Sequence, residues 1–272
     1  MTDVSPLRQI DLGDVRLNVY ERGAGPVLLF VHGFPLDHTM WRGQLDYFSA
    51  HYRVIAPDLR GFGSSTPGPD VGSVSMEWFA DDCARLLDAL GIQDKVMFCG
   101  LSMGGYIAWQ FARKYPQRLA RLVLCDTRAA ADTPAAAETR FKMAEHVLAA
   151  GTEIVARAML PKMFAASTPA RQPEIVAVTE QTILQTKPVA IAAAQRGMAA
   201  RPDVNAWLPQ FKVPALVVVG AEDVISPVDE MRQITQSLPQ ARLAIIPDAG
   251  HMAPLENPAA VNRELDEFLR TS

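Results

Sequence analysis

"VMFCGLSMGGYIAWQFARKYP", residues 96–116, is the stretch on which the reading of the fold turns. It opens with a short run apolar on both faces, breaks at glycine and shows a single serine. It then resumes at helical spacing until Pro116 stops it. Gly100 and Gly104 stand two residues to either side of Ser102, and Gly105 follows. By itself, G-x-S-x-G also fits a flexible turn. Between an apolar strand and a helix it describes a corner so sharp that the glycine positions have no room for a Cβ. Such a corner strains the serine backbone and lifts its Oγ from the carboxyl end of a sheet. Ser102 is therefore the candidate nucleophile.

Outward from this corner, the runs "VLLFV" (27–31), "RVIAP" (53–57), "RLVLCD" (121–126), "ALVVVG" (215–220) and "RLAIIP" (242–247) are likewise short and nearly all apolar. Strands of that kind belong to a parallel sheet covered by helices on both faces. Two alternating segments, "LRQIDL" and "VRLNVY", flank Gly13 and Asp14 and read as an amino-terminal hairpin. Residues 75–90 put Phe79, Cys83, Leu86, Leu87 and Leu90 on one helical stripe, with Ser75 as cap and Gly91 after the end. A last helix, about 258–270, starts at Pro258 and repeats Val261, Leu265, Phe268 and Leu269. Alternating strands and helices predict a doubly wound, mostly parallel α/β fold.

Residues 127–210 break the rhythm. They hold no convincing strand, are rich in alanine, and are punctuated at Pro134, Pro161, Pro169, Pro173, Pro188 and Pro202. So long an insertion between core strands reads as a helical cap. The expected organisation is a core of 1–126 and 211–272 with a cap of 127–210.

Composition narrows the function classes. The 272 residues are 49% hydrophobic and 21% charged, with a net charge of −4 and no basic run, which argues against nucleic acid as partner. "MTDVSPLRQIDLGD" lacks the apolar core of a signal peptide, and no apolar run is long enough to span a membrane. Cys83, Cys99 and Cys125 fall at core-like positions, so reduced thiols and a cytoplasmic setting are expected.

A serine nucleophile needs a base. His251, in "DAGHMAPLENP" after the last strand, lies at the same sheet edge as Ser102. His32, in "HGFP", reads as a loop brace, and His38, His51 and His146 as surface or packing residues, with His38 placed to reach a pocket mouth. The base needs an orienting acid. "GAEDVISP" offers Asp223, heading a turn closed by Pro227, with Asp126 as runner-up and Glu222 third. An oxyanion needs N–H donors. Met103 follows the nucleophile at a helix start, and Phe34 is the second donor, since Pro35 has no N–H and Gly33 frees the loop. The histidines are scattered, and no metal-binding spacing or phosphate loop is present, so neither metal nor cofactor is expected.

"HGFPLDHTMW", "APDLRGFGSS", "GLSMGGYIAWQFARKYPQRLARLVLCDT", "GAEDVISP" and "AGHMAPLENP" together resemble the α/β-hydrolase superfamily, over the whole chain apart from the cap. Within it the chain looks most like bacterial carboxylesterases, 3-oxoadipate enol-lactonases and cofactor-free haloperoxidases. The resemblance implies the triad Ser102, Asp223 and His251, an oxyanion hole at Phe34 and Met103, and a floor shaped by "DLRGFGSS". A serine at 102 differs from the aspartate that haloalkane dehalogenases and epoxide hydrolases would carry there. The expected activity is ester hydrolysis on a small molecule. Met143, Met159, Met163 and Phe164 are candidates to line an acyl pocket. A lactonase is the alternative, with Arg128 as partner for a substrate carboxylate. Perhydrolysis is a variant of the same chemistry. A hydrolase fold serving as a non-catalytic receptor is the remaining class.

Overall fold

In the computed structural model, which describes residues 6–69 and 72–270, eight strands form one sheet in the order β1-β2-β4-β3-β5-β6-β7-β8. Residues 1–5, the start of the segment read as lacking a leader, lie outside the described residues. The strands are β1 Leu7–Asp11, β2 Arg16–Arg22, β3 Val27–Val31, β4 Arg53–Pro57, β5 Val96–Leu101, β6 Leu119–Cys125, β7 Ala215–Gly220 and β8 Ala241–Ile246. β1 and β2 form the antiparallel hairpin, β2 joins β4 antiparallel, and every later pairing is parallel. Every residue of β3, β5 and β7 is buried, as double coverage requires. β8 departs from that pattern because it is an edge strand, and Ile245 is 43% exposed.

The strand order places the site. β4 lies on one side of β3 and β5 on the other, so the winding direction reverses at β3. In open α/β sheets the crevice at the carboxyl ends of such strands is where ligands bind. The loop after β3, with Phe34, and the corner after β5, with Ser102, meet at that crevice.

The helices are α1 Arg42–Phe48, α2 Met76–Ala89, α3 Met103–Lys114, α4 Pro134–Ala150, α5 Glu153–Met163, α6 Thr168–Arg171, α7 Pro173–Gln185, α8 Pro188–Ala199, α9 Val228–Ser237, α10 Ala253–Glu256 and α11 Pro258–Arg270. Ser75 caps α2, its hydroxyl accepting the Trp78 N–H at 3.1 Å. The stripe of α2 also buries a charge. Asp82 accepts two hydrogen bonds from Arg60, at 2.7 and 2.8 Å, and Asp14 takes a third at 2.9 Å. Arg60, from "DLRG", is thus a buried strut between α2 and the hairpin.

The 127–210 insertion carries α4 to α8. Pro134, Pro173 and Pro188 open helices, where a missing N–H costs nothing. Pro161 does not punctuate: it sits inside α5, within the last turn. The insertion reaches loops at the carboxyl edge of the sheet. The Thr186 hydroxyl donates to Pro35 O at 3.0 Å, Lys187 Nζ to Ser65 O at 3.3 Å, and the Met252 N–H to Met163 O at 3.0 Å. No described helix is long and apolar enough to cross a membrane.

Candidate active site

Ser102 caps α3 with φ of 54° and ψ of −111°, a left-handed backbone that costs a serine strain. Its neighbours hold it there. The Ser102 N–H donates to Cys125 O at 2.9 Å, and the Thr127 hydroxyl donates to Ser102 O at 2.8 Å. The flanking glycines are needed for close approach rather than for positive φ. A Cβ on Gly100 would lie 2.3 Å from Gly104 O, and one on Gly104 would lie 2.3 Å from Val31 O. A Cβ on Gly105 would strike the Thr127 side chain at 2.3 Å.

Two backbone donors come from the corner itself and from the loop after β3, where a Cβ on Gly33 would lie 3.5 Å from Ser102 Cβ. The Met103 N–H is the first amide of α3 and has no intrahelical partner. In the β3 loop the Gly33 N–H is taken by Met40 Sδ at 3.3 Å, and the Leu36 N–H by Gly33 O at 3.0 Å. Among the described residues the Phe34 N–H has no protein acceptor, so it is the free donor of that loop. His32 braces the loop. Burial disfavours its charge and holds it neutral, with Nδ1 donating to Gly33 O at 2.9 Å and Nε2 accepting the Leu59 N–H at 2.9 Å.

His251 and Asp223 are brought together. Both are buried, and His251 Nδ1 lies 2.8 Å from Asp223 Oδ2. The other acid oxygen, Oδ1, accepts the N–H groups of Ile225 at 2.7 Å and Ser226 at 3.0 Å. Asp223 therefore enters the site fully oriented by its own turn. Glu222 points outward and is exposed. Asp126, the runner-up, spends Oδ1 on the Gly220 N–H at 2.8 Å, yet it also lies close: Asp126, Asp223 and His251 each have a polar atom within 4.8 Å of the others. Cys125 and Thr127, which flank Asp126, are the residues that hold the Ser102 backbone, so serine and histidine share one edge. Ser102 Oγ and His251 Nε2 make no hydrogen bond to each other among the described residues. Such contacts often tighten only when substrate arrives.

One brace was not foreseen from the sequence. Glu256 is buried, and its carboxylate accepts three hydrogen bonds. They come from the Gly250 N–H at 2.8 Å, the Ala165 N–H at 2.8 Å and the Thr168 hydroxyl at 2.6 Å. It ties the loop of His251 to the 163–168 segment of the insertion. Its one sequence signal is a lone acid in the apolar stretch "HMAPLENP".

The residues expected to line the pocket divide. Met163 and Phe164 are buried against the histidine loop, Met163 through its carbonyl to Met252 and Phe164 by packing on Gly250. Met143 and Met159 are half-buried on α4 and α5 and make no hydrogen bond to the site. Arg128 corrects the expectation of a free cation. Its Nε reaches Glu230 at 2.8 and 3.0 Å and its Nη2 at 2.7 Å, so the guanidinium is already occupied. His38 likewise has a partner, with Nδ1 2.6 Å from Asp58 Oδ1. Burial works against its charge, but the Asp58 hydrogen bond and charge outweigh it and raise its pKa. The two groups with metal-ligand side chains among the described residues, Asp37/His38/Asp58 and Asp126/Asp223/His251, are both built around such His–Asp hydrogen bonds.

Comparison with known proteins bears on the fold. The alpha/beta hydrolase fold family matches residues 26–258. A 3-oxoadipate enol-lactonase of Acinetobacter baylyi is 29% identical over 260 residues, covering 94% of each chain. The structure of a thermophilic esterase from Thermogutta terrifontis, solved with malate bound, superposes with a TM-score of 0.94 at 45% identity, covering 97% of this chain and 98% of that one. An enol-lactonase structure from Burkholderia xenovorans superposes with a TM-score of 0.90 at 28% identity, covering 97% and 100%.

Proposed function

Because the chain belongs to the α/β-hydrolase fold family, we propose that it is a serine hydrolase that cleaves carboxylic esters through an acyl-enzyme. Ser102 Oγ attacks the acyl carbonyl and its proton passes to His251 Nε2. The oxyanion that forms is met by the N–H groups of Phe34 and Met103. His251 returns the proton to the leaving alkoxide, leaving the acyl group on Ser102. Water then gives its proton to Nε2 and attacks the acyl carbon; as the bond to Oγ breaks, Nε2 returns that proton to Ser102 Oγ and the acid leaves. The observation that carries this reading is the buried 2.8 Å contact between His251 Nδ1 and Asp223 Oδ2. It fixes the tautomer in which Nε2 is unprotonated and able to act as base.

In this reading the 127–210 insertion is a cap over the core of 1–126 and 211–272, with Met163 and Phe164 forming the pocket wall beside His251. Met143 and Met159 are assigned to its outer packing. The substrate is a small molecule. Three unpaired, buried cysteines suit a reducing cytoplasm. Lactone opening is the second reading, favoured by the likeness to the Acinetobacter enol-lactonase. Arg128 cannot serve it as carboxylate partner while Glu230 holds the guanidinium.

The test is hydrolysis of p-nitrophenyl esters from acetate to octanoate beside a lactone panel, with Ser102→Ala as blank. Ser102-dependent ester turnover exceeding lactone turnover is expected. Lactone turnover with weak ester turnover promotes the second reading. Activity unchanged in Ser102→Ala refutes both.

A further inference from the structure

Asp126 lies just beyond β6, fully buried, with φ of 48°. A left-handed aspartate there is held on several sides. Its N–H donates to Val218 O at 2.9 Å, and its carbonyl accepts the Ser226 hydroxyl at 3.1 Å. Its Oδ1 accepts the Gly220 N–H at 2.8 Å, and Gly220 O in turn accepts the Asp223 N–H at 3.1 Å. The turn that carries Asp223 is thus clamped from the neighbouring strand.

Oδ2 is the anomaly. It is buried and meets no donor among the described residues. What the carboxyl does meet is a second carboxyl, since Asp126, Asp223 and His251 all approach within 4.8 Å. Two carboxylates that close in a dry site do not both ionise. Their surroundings decide which one holds the charge. Asp223 receives three donors, from Ile225, Ser226 and His251, while Asp126 receives one, from Gly220. The charge belongs on Asp223 and the proton on Asp126.

We propose that Asp126 is a protonated positioning residue whose Oδ2–H donates to the Asp223 carboxylate and holds it in register for His251. The positioning half of this rests on the roles proposed above for Asp223 and His251; the protonation half does not. The groups facing Asp126 are Asp223, His251, the Cys125 thiol and the Gly220 N–H. Burial, then the charge of Asp223, push its pKa well above the usual carboxylate range, while the Gly220 hydrogen bond pulls the other way. A neutral Asp126 leaves a single negative charge beside the imidazole.

Asp126→Asn keeps a carbonyl for the Gly220 N–H and offers an NH2 to Asp223. The first measurement is unfolding stability against pH for this variant and the wild type, and it needs no turnover. Above about pH 4 an unfolded aspartate has lost its proton, whereas folded Asp126 retains it. Folding then takes up a proton, so wild-type stability falls relative to Asp126→Asn as pH rises. The relative loss is up to about tenfold in the folding equilibrium constant per pH unit until Asp126 ionises. Parallel profiles above pH 4 overturn the proposal.

The second measurement is turnover. Asp126→Ala should lose about 10–100-fold in kcat with KM little changed, and Asp126→Asn should recover most of it. The acid limb of the kcat/KM profile should stay in place in Asp126→Asn, because both side chains are neutral. A downward shift of that limb by about a unit shows an ionised Asp126 and overturns the assignment. Should Ser102→Ala retain full turnover, the hydrolase reading falls, while the stability profiles still decide where the proton resides.

Discussion

Asp223→Asn exchanges one carboxylate oxygen for an NH2 group, and the surrounding donors dictate which one. Oδ1 accepts the N–H groups of Ile225 and Ser226. The asparagine carbonyl must stay there, because turning it would oppose the NH2 to two backbone donors. The NH2 then faces His251 Nδ1, 2.8 Å from the oxygen it replaces. Nδ1 can only accept, so the imidazole proton moves to Nε2, the atom that has to be free. Restoring the productive tautomer means flipping the amide and leaving two backbone N–H groups without acceptors, at about 1–3 kcal/mol each. A total of about 2–6 kcal/mol corresponds to roughly 30-fold to 3 × 10⁴-fold at 1.36 kcal/mol per decade. The lost negative charge beside the imidazolium adds to this, so a fall of about 10³–10⁴ in kcat is expected. The assay is steady-state hydrolysis of p-nitrophenyl acetate and butyrate at neutral pH, with folding checked by circular dichroism. KM should stay within about threefold. A folded Asp223→Asn with kcat within tenfold of wild type would refute the tautomer reasoning.

Three further variants probe the frame around this pair. Gly104→Ala places a Cβ 2.3 Å from Val31 O and 3.1 Å from His32 O, and neither backbone atom can retreat. It should cost about 3 kcal/mol or more, seen as a lowered urea midpoint or as failure to accumulate folded protein. Glu256→Gln sets an NH2 against donors on at least one side, so about 1–3 kcal/mol of stability should be lost. Because Gly250 precedes the base, kcat should fall with it; unchanged kcat in a destabilised protein would confine Glu256 to scaffolding. His38→Gln should destabilise by about 1–3 kcal/mol, and the loss should depend on pH. The raised pKa of His38 makes its contribution full below the unfolded histidine value, lost as pH climbs through the folded one. Burial pushes Asp58 up, but the hydrogen bond and charge of His38 pull it further down. Its contribution is therefore present above the unfolded aspartate value and lost in stronger acid. The deficit of His38→Gln should thus be widest between about pH 4 and 6.5 and shrink on either side. A deficit that grows at high pH would contradict the ion pair.

Much of the fold was legible because local rules and global packing agree. "VLLFV", "VMFCG" and "ALVVVG" are apolar on both faces and became the buried centre of the sheet. The Ser102 corner was legible because close approach leaves only glycine at 100 and 104. Asp223 was legible as the head of a turn. What stayed hidden depends on partners distant in sequence. Arg128 looked free because Glu230, which occupies it, stands 102 residues away. Asp82, beside Cys83 on α2, is buried with Arg60 as its partner, 22 residues away in sequence. Glu256 draws two of its three donors from the insertion, 88 and 91 residues upstream. Asp126 was legible as an acid near the site. Its orphaned oxygen was not, since that depends on how β6 meets the turn after β7.

The central claim is that Ser102 is an activated nucleophile. The most direct measurement is intact-protein mass spectrometry after reaction with a fluorophosphonate, followed by peptide mapping. One adduct is expected, on Ser102, absent in Ser102→Ala and slowed by orders of magnitude in His251→Ala. A folded wild-type protein that takes no label, or takes it on another residue, contradicts the account.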